Sequence, residues 1–335
     1  MSQELIDPFG RLIQDLRISI TDRCNFRCTY CMPEEGMQWL ARSEVMRFEE
    51  IERLARIFVE RYGVRGIRLT GGEPTVRAHL PVLVEKLAAI VGPDGPVDLA
   101  MTTNGAAMRL VADTLREAGL RRVNISLDTL DRAKFHRMTR RDELPRVLDG
   151  IEAAKEAGFD PVKINAVLMR GINDDEAPRL LRWALDRGYE MRFIEQMPLD
   201  PQHGWNRRDM VTAAEILTSL ASEFQLTPVG ADERGSAPAE TWLVDGGSAR
   251  VGVIGSVTRP FCGACDRTRL TADGQVRTCL FARTESDLRA PLRHGASDAD
   301  LARRWRVAMA GKLPGHGIDD PGFLQPTRPM SAIGG

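Results

Sequence analysis

Short apolar runs alternate with longer amphipathic stretches over the first two thirds of the chain. Residues 16–20, 66–70, 97–102, 123–126, 162–168 and 190–195 read as strands, because they are short and rich in Leu, Ile and Val. Residues 49–61, 80–91, 108–118, 144–157 and 176–187 carry apolar side chains at helical spacing. Strand–helix repetition of this kind predicts parallel strands joined by right-handed crossovers. Within the strands, side chains alternate between faces. Leu16, Ile18 and Ile20 share one face, while Arg17, Ser19 and Thr21 share the other. The same split groups Arg68 with Thr70, Asn124 with Ser126, and Lys163 with Asn165; Thr102 and Arg192 extend the polar set. A closed eight-stranded barrel fills its interior with Val, Ile and Leu. Polar and charged residues on one face of nearly every strand instead predict an incomplete six-stranded (β/α) TIM-type barrel around a wide polar cavity, since burying such groups unpartnered is costly.

The pattern changes after about residue 198. A helix near 213–224 precedes shorter β-like pieces at 241–244, 250–254 and 268–270, then an Asp273-Gly274 turn and a run at 275–279. The expected organisation is therefore a barrel domain over 1–210 and a smaller α+β domain over 211–335, the second covering the open end of the first. The stretch 311–328 carries no distinctive motif.

Composition narrows the function classes. The formal charge is −1, which offers no global basic surface to nucleic acid. No apolar run approaches the ~20 residues of a membrane span, and the first residues lack a signal-peptide core. The cytoplasm is the expected compartment, where thiols stay reduced and disulfides are disfavoured. The basic residues are nearly all arginine; only Lys86, Lys134, Lys155, Lys163 and Lys312 are lysine. A lysine inside a β-like run, as at Lys163, is therefore the more pointed signal.

All six cysteines fall into two groups, Cys24-Asn-Phe-Arg-Cys28-Thr-Tyr-Cys31 and Cys262-Gly-Ala-Cys265 with Cys279. Each group is one thiolate short of a closed tetrahedral site or a fully protein-ligated cubane, so each would leave a metal position open to a reactant. The first group follows strand one directly, at the carboxyl end of a parallel strand, where active sites of α/β folds gather. Its spacing is not an ordinary zinc spacing, and the nearest downstream histidine is His79.

The first group resembles the signature of the radical S-adenosylmethionine (SAM) enzymes, CxxxCxxC with an aromatic residue (here Tyr30) before the last cysteine. The resemblance implies a [4Fe–4S] cluster on Cys24, Cys28 and Cys31, whose open iron chelates SAM and whose electron releases a 5′-deoxyadenosyl radical. Gly71-Gly72-Glu73-Pro74 after the second run agrees with it. In that superfamily the segment binds the SAM amino group, and glycine lets backbone approach a ligand closely. The second group is similar to the C-terminal cluster of the GTP 3′,8-cyclases, the MoaA family of molybdenum-cofactor biosynthesis. The likeness includes residues 15–24, 67–74, 102–105, 124–128, 163–167, 192–197, 261–269 and the terminal Ile333-Gly-Gly335.

What the family implies follows residue by residue. Cys262, Cys265 and Cys279 would hold a second [4Fe–4S] cluster facing the guanine base. Arg17, Arg68, Thr102, Lys163, Arg267 and Arg269 match GTP contacts, Thr268 is read as a backbone contact, and Arg192 is either a further contact or a structural ion pair. Tyr30, Gly72, Ser126 and Met197 match SAM contacts, and Cys24, Cys28, Cys31, Arg267 and Arg269 form the catalytic set. The implied partners are GTP, a flavodoxin- or ferredoxin-like electron donor, a downstream pterin-forming enzyme and a second copy of the chain. Two other readings stand beside this one: a radical SAM peptide maturase with an auxiliary cluster, and a zinc-holding scaffold.

Overall fold

The computed structural model describes residues 4–200 and 202–334. Six strands form in the expected places: β1 (Asp15–Ser19), β2 (Gly66–Thr70), β3 (Asp98–Thr103), β4 (Arg122–Ser126), β5 (Lys163–Leu168) and β6 (Glu190–Glu195). They lie side by side in chain order, each parallel to the next. Helices α1 (Phe48–Tyr62), α2 (Leu80–Ala88), α3 (Met108–Glu117), α4 (Arg132–Thr139), α5 (Leu144–Glu156) and α6 (Ala177–Arg187) make the crossovers.

Helix α1 illustrates why these segments take this form. Ile51, Leu54, Ala55, Phe58 and Tyr62 recur at helical spacing and are buried. The Glu50 carboxylate turns back to accept the Arg47 backbone N–H, satisfying an orphan donor at the helix start. Gly63, in the left-handed region at φ 67°, ends the helix. Leu16, Ile18, Ile67, Leu69, Ile164 and Phe193 are the helix-facing residues of the strands, and with the inner faces of the helices they form one continuous core.

The C-terminal segment departs from a separate second sheet. After α7 (Ala213–Ala221), strands β7 (Leu226–Pro228), β8 (Glu240–Val244), β9 (Arg250–Ile254), β10 (Arg267–Leu270), β11 (Gln275–Arg277) and β12 (Ser286–Asp287) join the barrel sheet at both ends. β9 runs parallel beside β6 and β10 runs parallel beside β1. Eight parallel strands therefore stand in a row, from β10 through β1–β6 to β9, flanked by short antiparallel strands. Those flanking strands terminate the row on each side, so the sheet stays open. Helix α8 (Asp298–Ala310) packs back on α1. Among the described residues no helix is long and apolar enough to cross a membrane.

Candidate active site

Register turns the alternating strand residues into rows across the hollow face. Arg269, Arg17 and Arg68 stand side by side on β10, β1 and β2. One level up, Thr102, Asn124, Lys163 and Glu190 are adjacent on β3 to β6. Above them come Ser126, Asn165 and Arg192, with Gly252 of β9 next to Arg192. One level below Arg17, Asp15 faces Arg267. The polar set expected from alternation is thus gathered on one surface.

That surface is a cationic hollow with too few counter-charges. Arg17 Nε, Arg68 Nε and Nη1, and Arg267 Nε are buried without hydrogen-bond partners. Burial and the neighbouring Arg17 push the Arg68 guanidinium down to about 9, and the same two causes lower Arg269 to about 9. Asp15 is the nearest counter-ion, with its carboxylate 3.7 Å from Arg17 Nε. Arg267 donates to the Ser236 carbonyl at 2.8 Å and lies over the Phe261 ring. On the other side, Glu190 takes both Lys163 (2.8 Å) and Arg192 (2.9 Å). Burial and Arg192 lower the Lys163 ammonium despite Glu190; burial would raise the Glu190 carboxyl, but Arg192 and Lys163 hold it low. Arg192 is therefore an ion-paired residue on the hollow face. Glu190 and Asp15 were not legible as site residues from sequence, because an acidic residue is not expected where a polyanion binds.

Thr268 is fully buried on the opposite face of β10, where its hydroxyl accepts the Trp305 indole N–H at 3.1 Å. Its side chain holds α8 to the sheet, which leaves only its backbone on the side of the hollow.

The first cysteine group sits in the loop after β1. Cys24, Cys28 and Cys31 are free thiols. Burial pushes Cys24 up to about 11 and Cys31 up to about 12, and burial together with Cys31 raises Cys28. Buried thiols of this kind ionise only when a metal supplies the opposing charge. Among the described residues no three Cys, His, Asp or Glu side chains converge on a single metal position. In a cubane each thiolate meets its own iron, so convergence is not required. The Tyr30 hydroxyl donates to Asp128 Oδ2 at 2.7 Å, and the Val167 N–H donates to Asp128 Oδ1. Burial pushes the Asp128 carboxyl up to about 6.

The Gly-Gly-Glu-Pro loop after β2 packs on the same segment. Gly72 N–H donates to the Thr21 carbonyl at 2.8 Å and Glu73 N–H to the Arg23 carbonyl at 2.8 Å. A Cβ on Gly72 would stand 2.3 Å from the Arg23 carbonyl oxygen. Glycine is needed there because one loop touches another; the side a Cβ would occupy is filled by protein, not left to ligand. Glu73, 1% exposed, accepts from Thr75, Thr103 and the Asn104 N–H.

The second group occupies the turn before β10 and the loop after β11. Burial would raise the Cys265 thiol, but Lys312 and Arg267 override it and lower it; burial raises Cys262. Cys265 and Cys279 in turn favour the charged form of Arg269, which places this group beside the hollow. The C-terminal tail meets both cysteine groups. The Ser331 backbone favours the charged form of the Cys31 sulfur, and the Gly334 carbonyl accepts from Arg269. A Cβ on Gly334 would stand 2.4 Å from Thr70 Oγ1, so the tail runs against the hollow face itself. Gly335 lies outside the described residues. Met197 packs with Ile333, Met330 and Cys279 in a small apolar cluster.

Two open-sided sets of three thiols and a cationic cavity at the strand ends define a radical SAM enzyme, and residues 18–184 match the Radical SAM superfamily model. Residues 189–318 match the Molybdenum Cofactor Synthesis C model. A GTP 3′,8-cyclase of Streptomyces coelicolor is 61% identical over 99% of this chain and 96% of its own length. One from Mycolicibacterium smegmatis is 53% identical over 99% and 92%. The chain belongs to the GTP 3′,8-cyclase family. Among solved structures, Streptococcus suis SuiB bound to S-adenosylmethionine is similar in fold, with a TM-score of 0.63 and 14% identity over 92% of this chain and 68% of that one. The protein anSMEcpe with bound AdoMet has a TM-score of 0.51 and 18% identity over 63% of this chain and 57% of that one.

Proposed function

We infer that this chain cyclises GTP to 3′,8-cyclo-7,8-dihydro-GTP, the first step of molybdenum-cofactor biosynthesis, and does so in the cytoplasm. The observation that carries the reading is the set of buried guanidinium N–H donors on Arg17, Arg68 and Arg267 that have no hydrogen-bond partner, which a triphosphate would satisfy. A peptide substrate would offer too little negative charge for it.

Cys24, Cys28 and Cys31 would hold one [4Fe–4S] cluster with SAM, and Cys262, Cys265 and Cys279 a second facing the base; the donor sets suit both, being half-buried free thiols, with the Phe26 N–H on Cys24 and the Lys312 ammonium on Cys265. When bound, the first cluster and SAM would supply a 5′-deoxyadenosyl radical able to take hydrogen from ribose C3′; forming the C3′–C8 bond at the expense of the C8=N7 double bond would then require one further electron, from the donor named below, and one proton. The protein's own work is positioning. Arg17, Arg68, Arg267 and Arg269 grip the triphosphate from one side. Lys163, kept in place by Glu190, meets it from the other, with Thr102 between. Tyr30, Gly72, Ser126 and Met197 line the SAM side, and the Ser331–Gly334 tail keeps water from the space between the two groups. Residues 1–210 supply the SAM half and 211–335 the second-cluster half of one shared sheet. A flavodoxin- or ferredoxin-like donor provides electrons, a pterin-forming enzyme takes the product, and the working form is a homodimer.

The test is anaerobic GTP binding to Arg17→Ala and Lys163→Ala, followed alongside SAM cleavage. Loss of one charge-assisted contact is expected to weaken GTP by about 10- to 100-fold, corresponding to about 1.5–3 kcal/mol. Unchanged GTP affinity in both variants would remove the hollow from substrate binding.

A further inference from the structure

We propose that Lys312 is a positioning residue for the second iron–sulfur cluster, placing its buried ammonium against the Cys265 sulfur and setting the cluster's reduction potential. The proposal rests on the assignment of that cluster to Cys262, Cys265 and Cys279. Lys312 is only 3% exposed. Its Nζ lies 3.7 Å from Cys265 Sγ and donates to the Arg267 carbonyl at 2.5 Å. Among the described residues no carboxylate is within ion-pair distance of it. An ammonium taken out of water needs a counter-charge, and here the available one is sulfur. A sulfur that ligates a cluster carries the negative charge this cation lacks elsewhere.

The residues around Lys312 are arranged toward the same group. A Cβ on Gly315 would stand 3.8 Å from Cys262 Cβ and 3.9 Å from its sulfur, so the backbone of 314–316 is the wall against that cysteine. From the other end of the chain, Arg11 locks this wall to the cysteine loop. Its guanidinium donates to the carbonyls of Cys262 (2.6 Å), Leu313 (2.7 Å) and Pro314 (2.8 Å) and is held by Asp7 at 2.5 Å. Outside the wall, a cavity of about 620 Å³ bordered by Leu313, His316 and Phe323 reaches Cys279. The wall thus covers Cys262, while the cavity opens onto Cys279. Hydrogen bonds and positive charge at cluster sulfurs favour the reduced state, which carries one more negative charge.

The test compares wild type, Lys312→Met, Lys312→Arg and Cys279→Ser after anaerobic reconstitution. Three quantities are read: iron per chain, the midpoint of the second cluster by EPR-monitored redox titration with SAM present to separate the first, and the rate of iron loss to a ferrous chelator. Lys312→Met is expected to move the second midpoint to lower potential and speed loss of half the iron at least ten-fold. Lys312→Arg is expected to stay near wild type in both. An unchanged midpoint and loss rate in Lys312→Met overturns the proposal, and so does a Lys312→Arg protein as impaired as Lys312→Met, because that would mark a role of shape and not of charge. Should Lys312→Met fail to fold by circular dichroism, Lys312→Gln, which keeps a donor and drops the charge, carries the same expectations. Cys279→Ser distinguishes the two levels: if it keeps about eight irons per chain, the cluster assignment itself fails; if it loses about half while Lys312→Met is unaltered, only the role of Lys312 fails.

Discussion

Glu190 accepts from two of the cations that face the hollow, Lys163 and Arg192. Removing its charge leaves both half-buried and uncompensated. Glu190→Gln is therefore expected to destabilise the ligand-free protein by about 2 kcal/mol in urea unfolding. Millimolar inorganic triphosphate should restore part of that loss, since a ligand that binds only the folded state stabilises it; no recovery would show that the freed cations do not form an anion site. At this scale the sequence was a partial guide. Arg17, Arg68, Lys163, Arg267 and Arg269 could be placed by alternation and resemblance. Glu190 and Lys312 could not: their meaning depends on which strand or loop lies beside them, a non-local fact that neither spacing nor residue type encodes.

Elements depend on close backbone approaches as much as on apolar faces. Helix α5 passes so near the loop after β3 that a Cβ on Gly150 would stand 2.1 Å from the Gly105 carbonyl oxygen. Gly150→Ala should cost about 3 kcal/mol through displaced backbone. Gly72→Ala should cost a similar amount and, in addition, abolish SAM binding measured by equilibrium dialysis, because the shifted loop carries Glu73 and presses on residues 21–23. Helix α1 is tied to the C-terminal segment through Glu50, 2% exposed, and Arg293 at 2.7 Å. Burial alone would raise the Glu50 carboxyl, but the Arg293 guanidinium and the Arg47 N–H prevail and hold it at about 2. The folded value lies below the ordinary carboxylate value, so the stabilisation is full above about pH 4.5 and fades as pH falls toward 2. Arg293 is about one-third exposed and solvent screens the pair, so the expected contribution is on the order of 1–2 kcal/mol. Glu50→Gln should lose that amount at pH 7 and show a flatter acid limb in stability measured between pH 5 and 2.

At the scale of the whole molecule, the six-strand core and its polar interior were readable from periodicity, because each βα unit is local and its strand faces alternate strictly. The partners of β9 and β10 were not, because strands of only four or five residues carry no address for the edge they join. Their placement has a measurable consequence. A fragment of residues 1–210 would present β1 and β6 as two unpaired parallel edges, each with apolar residues behind it. It is expected to aggregate on expression; a soluble fragment with native circular dichroism would mean that the flanking strands add little.

The same placement bears on how the protein is made. Cys24, Cys28 and Cys31 leave the ribosome early, yet the strand that carries their loop lacks its β10 neighbour until residue 270 has been synthesised, and the Arg11 clamp is complete only once residue 314 has been made. Cofactor loading in the cell must therefore await nearly the full length of the nascent chain, and a ribosome stalled before that point would leave the early thiols exposed to oxygen with no finished shelter around them.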